Sequence, residues 1–249
     1  MAQYLAKHTD ECCGQAVKHT GTAQGEFVDV GGVQTYVAYA PDKSLDRIIL
    51  FYCDVFGPKF LNNQLVCDWF AEHGYTVLAP DCFNGEELEK VMHTEGFNIM
   101  AWITPWRESA PKLIAETFLP AVKTQFPAKG YASVGYCFGA PMVMADLTTD
   151  HSVAGAIAHP SSLTDEHFKL VTGPLFLSCA ETDPVFGAEN RHKAEAILAE
   201  AKRTYHFQLF SGVRHGFAIK GDMSNENERW AKEQSAWGIL GWFDRFLKK

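Results

Sequence analysis

The fold of this chain is decided by the stretch Gly135-Tyr136-Cys137-Phe138-Gly139, which follows an apolar run at 131–134 and precedes small, apolar residues at 140–147. A glycine two positions before the cysteine and another two positions after it allow the backbone to turn sharply from a strand into a helix. Such a turn exposes the central side chain at the top of a sheet. The pattern therefore predicts that Cys137 is a nucleophile and that an acid and a histidine follow it downstream.

The composition predicts one large domain. The chain has 249 residues, of which 47% are hydrophobic and 13% aromatic, enough for a substantial core. We expect a single domain over 1–249, with 1–26 as an N-terminal extension. The net charge of −8 and the scattered basic residues argue against a nucleic-acid partner, because phosphate binding needs a basic stripe.

Cysteine usage and the N-terminal sequence predict a cytoplasmic protein. Residues 1–10 lack the apolar core of a signal peptide, and no 18 uncharged apolar residues run together, so we expect no membrane span. The seven cysteines are expected to be reduced thiols. Cys12-Cys13 invites a metal interpretation, but no second Cys or His pair stands at zinc-site spacing. We expect neither a metal nor a cofactor.

Strand-like runs alternate with stretches of helical periodicity, which predicts an α/β fold with a mostly parallel central sheet and helices on both faces. Residues 27–30 and 34–38 are expected to form an antiparallel hairpin at the sheet edge. The continuous apolar run at 47–53 is typical of a strand covered on both faces. The other predicted strands are 75–79, 131–134, 153–158, 175–180 and 205–210, and the predicted helices are 62–72, 110–124, 188–201 and 227–247.

Two further segments carry specific expectations. The weakly periodic region 83–107 contains Trp106 and Arg107 and is predicted to cover the substrate. Aromatic residues of the C-terminal helix are expected to pack in the core rather than to bind a ligand. These are Trp230, Trp237, Trp242 and Phe246.

The acid and the histidine stand where the cysteine turn requires them. Asp183 leaves the strand at 175–180, and His215 follows the last strand on a glycine-flanked loop. The order nucleophile, acid, histidine is that of the α/β-hydrolase fold. Asp183 before a proline is also a common helix cap, a lone histidine is usually structural, and Glu181 is an alternative acid.

Chemistry assigns a role to each group. A free thiol is only a few per cent thiolate at neutral pH, so Cys137 needs His215 as a base. Asp183 would fix the tautomer of the imidazole and stabilise its cation. The backbone N–H groups of Val55 and Phe138 are the expected oxyanion-hole donors. Asp54 is an acid close to the nucleophile, and its alternative interpretation is a turn residue at a strand end.

These motifs resemble the dienelactone hydrolase family (carboxymethylenebutenolidase-like proteins). The resemblance rests on the cysteine turn, on Asp183, on His215-Gly216-Phe217 and on Asp54-Val55-Phe56-Gly57, and it covers 31–247. Cys12-Cys13-Gly14 and the stretch 19–22 resemble the fungal branch of the family.

The resemblance implies hydrolysis of an activated ester or lactone through a thioester acyl-enzyme on Cys137. In the family, an acid at the Asp54 position holds the resting thiol and takes its proton. Bacterial members carry glutamate there, one methylene longer. They also bind the substrate carboxylate with an arginine four residues after the catalytic histidine, where this chain has Ile219.

The loss of that arginine leaves several candidates for contacts with the substrate. Lys220 is adjacent to the position, although a solvated surface lysine is the simpler interpretation. Arg107, Arg214 and Trp106 are the others, without positional support. The expected partner is a small ester or lactone, and the expected assembly is a monomer or a homodimer.

Two alternatives remain at the level of sequence. A pseudo-hydrolase that only binds a lactone- or ester-like ligand would keep the pocket. The departures at Asp54 and Ile219 favour it, whereas the intact set of Cys137, Asp183 and His215 argues against it. A thiol redox sensor built on Cys137 is the third interpretation, because a low-pKa cysteine oxidises readily. No resolving cysteine stands near Cys137 in the sequence.

Overall fold

A sheet of eight strands runs through the centre of the computed structural model, which describes residues 2–8, 16–86 and 88–247. A second, two-stranded sheet lies beside it. The strands are β1 (Tyr4–Ala6), β2 (Glu26–Val30), β3 (Val33–Ala38), β4 (Arg47–Tyr52), β5 (Thr76–Pro80), β6 (Gly130–Tyr136), β7 (Ala154–Ala158), β8 (Leu163–Thr164), β9 (Leu175–Thr182) and β10 (Tyr205–Arg214).

The helices alternate with the strands along the chain. They are α1 (Leu61–Glu72), α2 (Leu88–Val91), α3 (Ile99–Leu113), α4 (Leu119–Gln125), α5 (Ala140–Thr148), α6 (Asp165–Leu170), α7 (Ala188–Glu200), α8 (Phe217–Lys220) and α9 (Glu226–Phe246). A π-helical turn, Ile114–Phe118, joins α3 to α4, and a 3-10 turn, Cys137–Gly139, precedes α5. No helix within the described ranges is both long and apolar enough to cross a membrane.

The strand order of the large sheet confirms the mostly parallel arrangement predicted from the sequence. The order is β2-β3-β5-β4-β6-β7-β9-β10. The last six strands in this order are parallel to one another. The predicted hairpin of β2 and β3 lies at one edge, and its strand β3 pairs with β5 in the antiparallel direction. Its turn uses Gly31 and Gly32, whose φ angles of 65° and 89° require glycine.

Helices cover both faces of the sheet because successive strand residues point in opposite directions. On β6, Gly135 lies against the start of α5, whereas Tyr136 faces a space between α1 and α9. Side chains of α5 also rest on Gly155 of β7. α5 therefore covers one face, and α1 and α9 cover the other. The carboxyl ends of the parallel strands all lie at the same edge of the sheet.

The helix predicted at 110–124 begins much earlier than expected. α3 starts at Ile99, where Asn98 caps it by accepting a hydrogen bond from the backbone N–H of Ala101 at 3.0 Å. Pro105 and Pro111 lie within the helix and disguise its periodicity, since proline is rare in helix interiors. Much of the region 83–107 is therefore regular structure.

The C-terminal helix corrects a second expectation. Trp242 is buried, but Trp230 and Trp237 of α9 are 53% and 49% exposed. Trp237 instead packs edge to face against Trp69 of α1, with ring centroids 4.9 Å apart. The periodicity identified the helix correctly, whereas the space between α1 and α9 leaves this part of its inner face without a core to pack into.

Candidate active site

Cys137 lies at the point where β6 turns into a helix. Its φ angle is +49°, in the left-handed region that side chains with a Cβ rarely adopt, and the residue is 2% exposed. Strain of this kind costs about 1–3 kcal/mol and persists only where the surrounding structure enforces it. The sharp turn predicted from the sequence is therefore present around Cys137.

The two glycines of the turn are required by close backbone approaches. A Cβ on Gly135 would stand 2.5 Å from the carbonyl oxygen of Gly139. A Cβ on Gly139 would collide with the backbone carbonyl of Tyr52 at the end of β4. Only glycine at both positions lets the turn pack against β4, and this packing brings the loop after β4 next to Cys137.

His215 and Asp183 form a buried pair at the same edge of the sheet. β9 ends at Thr182 and β10 at Arg214, so each side chain follows directly after a parallel strand. The Nδ1 of His215 lies 3.0 Å from both carboxylate oxygens of Asp183, and because a carboxylate only accepts, Nδ1 carries the hydrogen. This tautomer places the other ring nitrogen, Nε2, as the basic atom of the imidazole.

Further contacts hold the carboxylate of Asp183 in its ionised form. Its Oδ1 accepts hydrogen bonds from the backbone N–H groups of Val185 at 2.8 Å and Phe186 at 2.9 Å. Burial opposes ionisation, but the hydrogen bond and positive charge of His215, together with these two N–H groups, lower the pKa of Asp183 below its ordinary value. Asp183 therefore caps the following turn and also orients His215, so the two sequence interpretations are compatible.

Asp54 occupies the loop that leaves β4 and is buried. Its Oδ1 accepts from the backbone N–H of Phe56 at 3.1 Å and from Nδ2 of Asn63 at 3.0 Å. Its Oδ2 makes no hydrogen bond with any described residue. Burial raises the pKa of Asp54, although the charges of Lys220 and His215 and the two hydrogen bonds oppose the rise. Asp54 thus combines a raised pKa with one available oxygen.

The register of β4 and β6 aligns the two expected oxyanion-hole donors. Tyr52 pairs with Gly135 across the parallel strands, and three residues further along each chain stand Val55 and Phe138. Both residues are buried. The two backbone segments therefore leave the sheet from paired positions on neighbouring strands.

Two residues near Cys137 and His215, Ser161 and His159, were not predicted from the sequence. The Sγ of Cys137 donates to Oγ of Ser161 at 3.7 Å, and the backbone N–H of Ser161 donates to the carbonyl oxygen of Cys137 at 3.1 Å. His159 is fully buried, and its ring lies 5.0 Å from the ring of His215 and 5.9 Å from that of Tyr136. Both residues follow β7, the strand between β6 and β9. This position after a central parallel strand is the feature of the sequence that could have identified them.

The structure corrects the interpretation of Lys220 as a solvated surface lysine. Lys220 is only 7% exposed, and its Nζ lies 5.4 Å from the centre of the Phe56 ring. Together with His215 and Arg214, it lines a cavity of about 380 Å³. α8 folds back under the histidine loop, and this turns Lys220 inward rather than towards water.

The other substrate-contact candidates are more dispersed. Trp106 packs edge to face on Phe83 with centroids 5.8 Å apart, and Phe83 in turn contacts Phe138. Trp106 lines a different cavity, of about 460 Å³, which His215 does not reach. Arg107 lies near His8. Burial is the main cause that lowers the pKa of His8, and the charge of Arg107 is the second. Cys12 and Cys13 lie outside the described residues.

A parallel sheet, a strained turn at Cys137 and an acid–histidine pair at the same edge define the α/β-hydrolase class. The family model of the dienelactone hydrolases matches residues 33–247, and the chain belongs to the dienelactone hydrolase family. Family membership makes the chain a hydrolase of the ester or lactone type.

Individual relatives agree with this assignment. The hydrolase pyvD of Aspergillus violaceofuscus is 36% identical over 239 residues, covering 96% of this chain and 97% of the relative. Dienlactone hydrolase 1 of Gibberella moniliformis is 33% identical over 259 residues, covering 98% and 97%. The fold also resembles P91, a dienelactone hydrolase-like promiscuous phosphotriesterase from metagenomic libraries, with a TM-score of 0.64, 15% identity, and coverage of 90% of this chain and 98% of that one.

Proposed function

We propose that the chain hydrolyses an activated ester or lactone through a thioester on Cys137. The observation that supports this best is the pair of 3.0 Å contacts between His215 and Asp183 at the edge of the sheet where Cys137 is held in its strained turn. His215 takes the proton of the thiol, and the thiolate sulfur attacks the carbonyl carbon of the substrate. The N–H groups of Val55 and Phe138 bind the oxyanion that forms.

His215 carries the transferred proton in both halves of the reaction, acylation and deacylation. When the tetrahedral intermediate collapses, the bond between the carbonyl carbon and the leaving oxygen breaks, and His215 returns its proton to that oxygen. In a lactone the new hydroxyl group stays on the acyl chain. Water then loses a proton to His215 and attacks the thioester, the carbon–sulfur bond breaks, and a carboxylic acid leaves. His215 returns the proton to the sulfur of Cys137, which restores the thiol.

Asp54 is proposed as a second acid–base group in the resting state. Its raised pKa and available Oδ2 suit a carboxylate that takes the thiol proton in place of His215, when substrate displaces the contact between Cys137 and Ser161. Lys220 is proposed to attract an anionic group of the substrate, because it lines the same cavity as His215. We retain Arg107 and Trp106 as weaker candidates for substrate contacts.

The test compares hydrolysis of p-nitrophenyl acetate by wild type, Cys137→Ala and Cys137→Ser. We expect the wild type to turn over and to accumulate an acetyl thioester that mass spectrometry locates on Cys137. Cys137→Ala should lose this activity while its circular dichroism spectrum stays unchanged. If wild type and Cys137→Ala are equally inactive and both bind a lactone, the chain is a binding protein rather than an enzyme. If both are equally active, Cys137 is not the nucleophile.

A further inference from the structure

A second cavity separates α1 from α9 on the face of the sheet opposite α5. It has a volume of about 720 Å³, within the range of small-molecule sites, and none of Cys137, Asp183 and His215 lines it. Leu65 and Trp69 of α1 form one wall, and Trp237 and Ala236 of α9 form the other. The proposed hydrolysis gives this cavity no role.

Lys232 of α9 contributes a cation to the cavity. Its Nζ donates to the backbone carbonyls of Ala218 at 2.9 Å and Ile219 at 3.3 Å, which leaves one of its three N–H donors for another partner. Across residues 2–8, 16–86 and 88–247, no carboxylate forms an ion pair with it. Burial lowers the pKa of Lys232 to about 7, although the charge of Asp54 opposes this shift.

The N-terminal segment 17–20 covers the cavity and is fixed in place by Asn62 of α1. The Nδ2 of Asn62 donates to the carbonyl of Val17 at 2.8 Å, and its Oδ1 accepts from the backbone N–H of His19 at 2.8 Å. The Nε2 of His19 donates to the carbonyl of Gly221 at 2.8 Å. Part-buried hydrogen bonds therefore attach this segment on both sides, and it forms one defined wall of the cavity.

The linings of this cavity select the chemistry of a ligand. Two indole rings, 4.9 Å apart and nearly perpendicular at 89°, form a corner that suits the face and edge of an aromatic ring. Lys232 makes no ion pair with a described carboxylate, so in its protonated form it can bind an anion, and a carboxylate accepts from it in a charge-assisted hydrogen bond. We propose that this cavity binds a small aromatic monocarboxylate, with its carboxylate on Lys232 and its ring against Trp69 and Trp237.

Other charged groups near Lys232 set the conditions of binding. The nearby titratable and charged residues, taken from every element around the cavity, are His19, Lys18, Asp54, His159, Asp222 and Glu233. Burial and the charge of Lys232 lower the pKa of His19, so this imidazole is neutral near pH 7. Asp222 and Glu233 also line the cavity, where their carboxylates disfavour a second negative charge on the ligand. These surroundings restrict the ligand to a single carboxylate.

A ligand in this cavity would be linked to the segments that carry His215 and Cys137, because two residues of the cavity are connected to them. Lys232 binds carbonyls of α8, which begins two residues after His215. Tyr136, at the floor of the cavity, immediately precedes Cys137. We therefore expect an occupied cavity to stabilise both segments.

The experiment titrates the Cys137→Ala protein with 1-naphthoate by calorimetry, so that no turnover complicates the heat. We expect saturable binding whose affinity falls as the pH rises above about 7, because Lys232 then loses its proton. Lys232→Met in the same background should weaken binding by at least about tenfold. Neutral 1-naphthamide should bind equally to both proteins.

Two controls keep the result decisive if Lys232→Met fails to fold. Ala236→Trp fills the cavity without changing a charge and should abolish naphthoate binding. Lys193→Met removes a lysine of α7 that pairs with Glu189, away from the cavity, and should leave the affinity unchanged. Absence of naphthoate binding at pH 6, or equal affinity in the Cys137→Ala protein and its Ala236→Trp derivative, would overturn the proposal. Neither outcome depends on whether the protein hydrolyses esters.

Discussion

The imidazole of His159 packs edge to face against that of His215, with ring centroids 5.0 Å apart and an angle of 65° between the planes. Neither ring nitrogen of His159 has a hydrogen-bond partner in the described part of the chain. Burial, and then the charges of His215 and Lys220, hold the pKa of His159 well below 6.5. The catalytic histidine candidate therefore rests on a second imidazole that stays neutral.

Replacement of His159 should change how stability depends on pH. Below pH 6.5 the unfolded chain binds a proton on this histidine that the folded protein does not accept, so stability falls as the pH decreases. His159→Phe removes that loss and also removes two unsatisfied buried nitrogen atoms, worth about 1–3 kcal/mol. Urea unfolding at several pH values measures both effects. His192→Phe, on the exposed side of α7, should retain the acid sensitivity of the wild type.

Asp146 of α5 should make the folded protein less stable as the pH rises, which is opposite to the effect of His159. Burial raises its pKa to about 7, although the hydroxyl of Tyr52 donates to its Oδ2 at 2.8 Å and opposes the rise. Between pH 3.8 and about 7 the unfolded chain releases a proton that the folded protein keeps, so stability decreases as the pH rises. Asp146→Asn should flatten this decrease in urea unfolding. The exposed Asp150→Asn serves as the control, and an equal flattening there would contradict the assignment.

Asp183→Asn should lower kcat for ester hydrolysis by about a thousand- to ten-thousand-fold, because an amide stabilises neither the tautomer nor the cation of His215. The asparagine oxygen can still accept from the N–H groups of Val185 and Phe186, so the fold should persist. Glu181→Gln tests the alternative acid. The Oε2 of Glu181 accepts a hydrogen bond from the backbone N–H of Gly212 at 2.8 Å, a contact that a glutamine oxygen can also make. Glu181→Gln should therefore retain most activity. The reverse ranking of the two variants would assign Glu181 as the acid.

Asp54→Asn should change the pH–rate profile more than it changes the fold. The amide oxygen can accept the same hydrogen bonds from Phe56 and Asn63, but it cannot take a proton. We expect kcat/KM to lose the pH-dependent limb that belongs to the raised pKa of Asp54. Asp81→Asn, a buried acid at the end of β5, is the matched control. Identical profiles for Asp54→Asn and wild type would reduce Asp54 to a turn residue.

Gly139→Ala should destabilise the protein by about 3 kcal/mol or more, because its Cβ meets the rigid backbone carbonyl of Tyr52. Gly241→Ala provides a control on α9, since nothing lies within 4 Å of a Cβ there. That substitution should stabilise the helix by about 0.5–1 kcal/mol. Thermal unfolding of both variants checks the pair, and similar losses would show that the turn has no special need for glycine.

Local chemistry explains what the sequence could predict. Gly135 and Gly139 define the turn through short-range backbone geometry, and buried parallel strands are visible as continuous apolar runs. Once the turn is placed, the order of the sheet requires Asp183 and His215 to follow two later strands. These features depend on few long-range contacts.

Long-range packing explains what the sequence did not predict. Lys220 is buried because α8 folds under the histidine loop, and Trp237 is exposed because α1 and α9 stand apart. Neither arrangement leaves a periodic pattern. The three-residue β1 pairs with β8, 157 or more positions away, and strands this short carry too little periodicity to be recognised.

The position of β10 has a consequence for inactivation by heat. This strand pairs with β9 on one side, lies at the outer edge of the described sheet, and ends one residue before His215. Cys137, by contrast, follows a strand held between two neighbours. Edge strands open at lower free energy than central ones. We therefore expect warming to separate His215 from Cys137 by fraying of β10 at a lower temperature than the one at which the whole molecule unfolds.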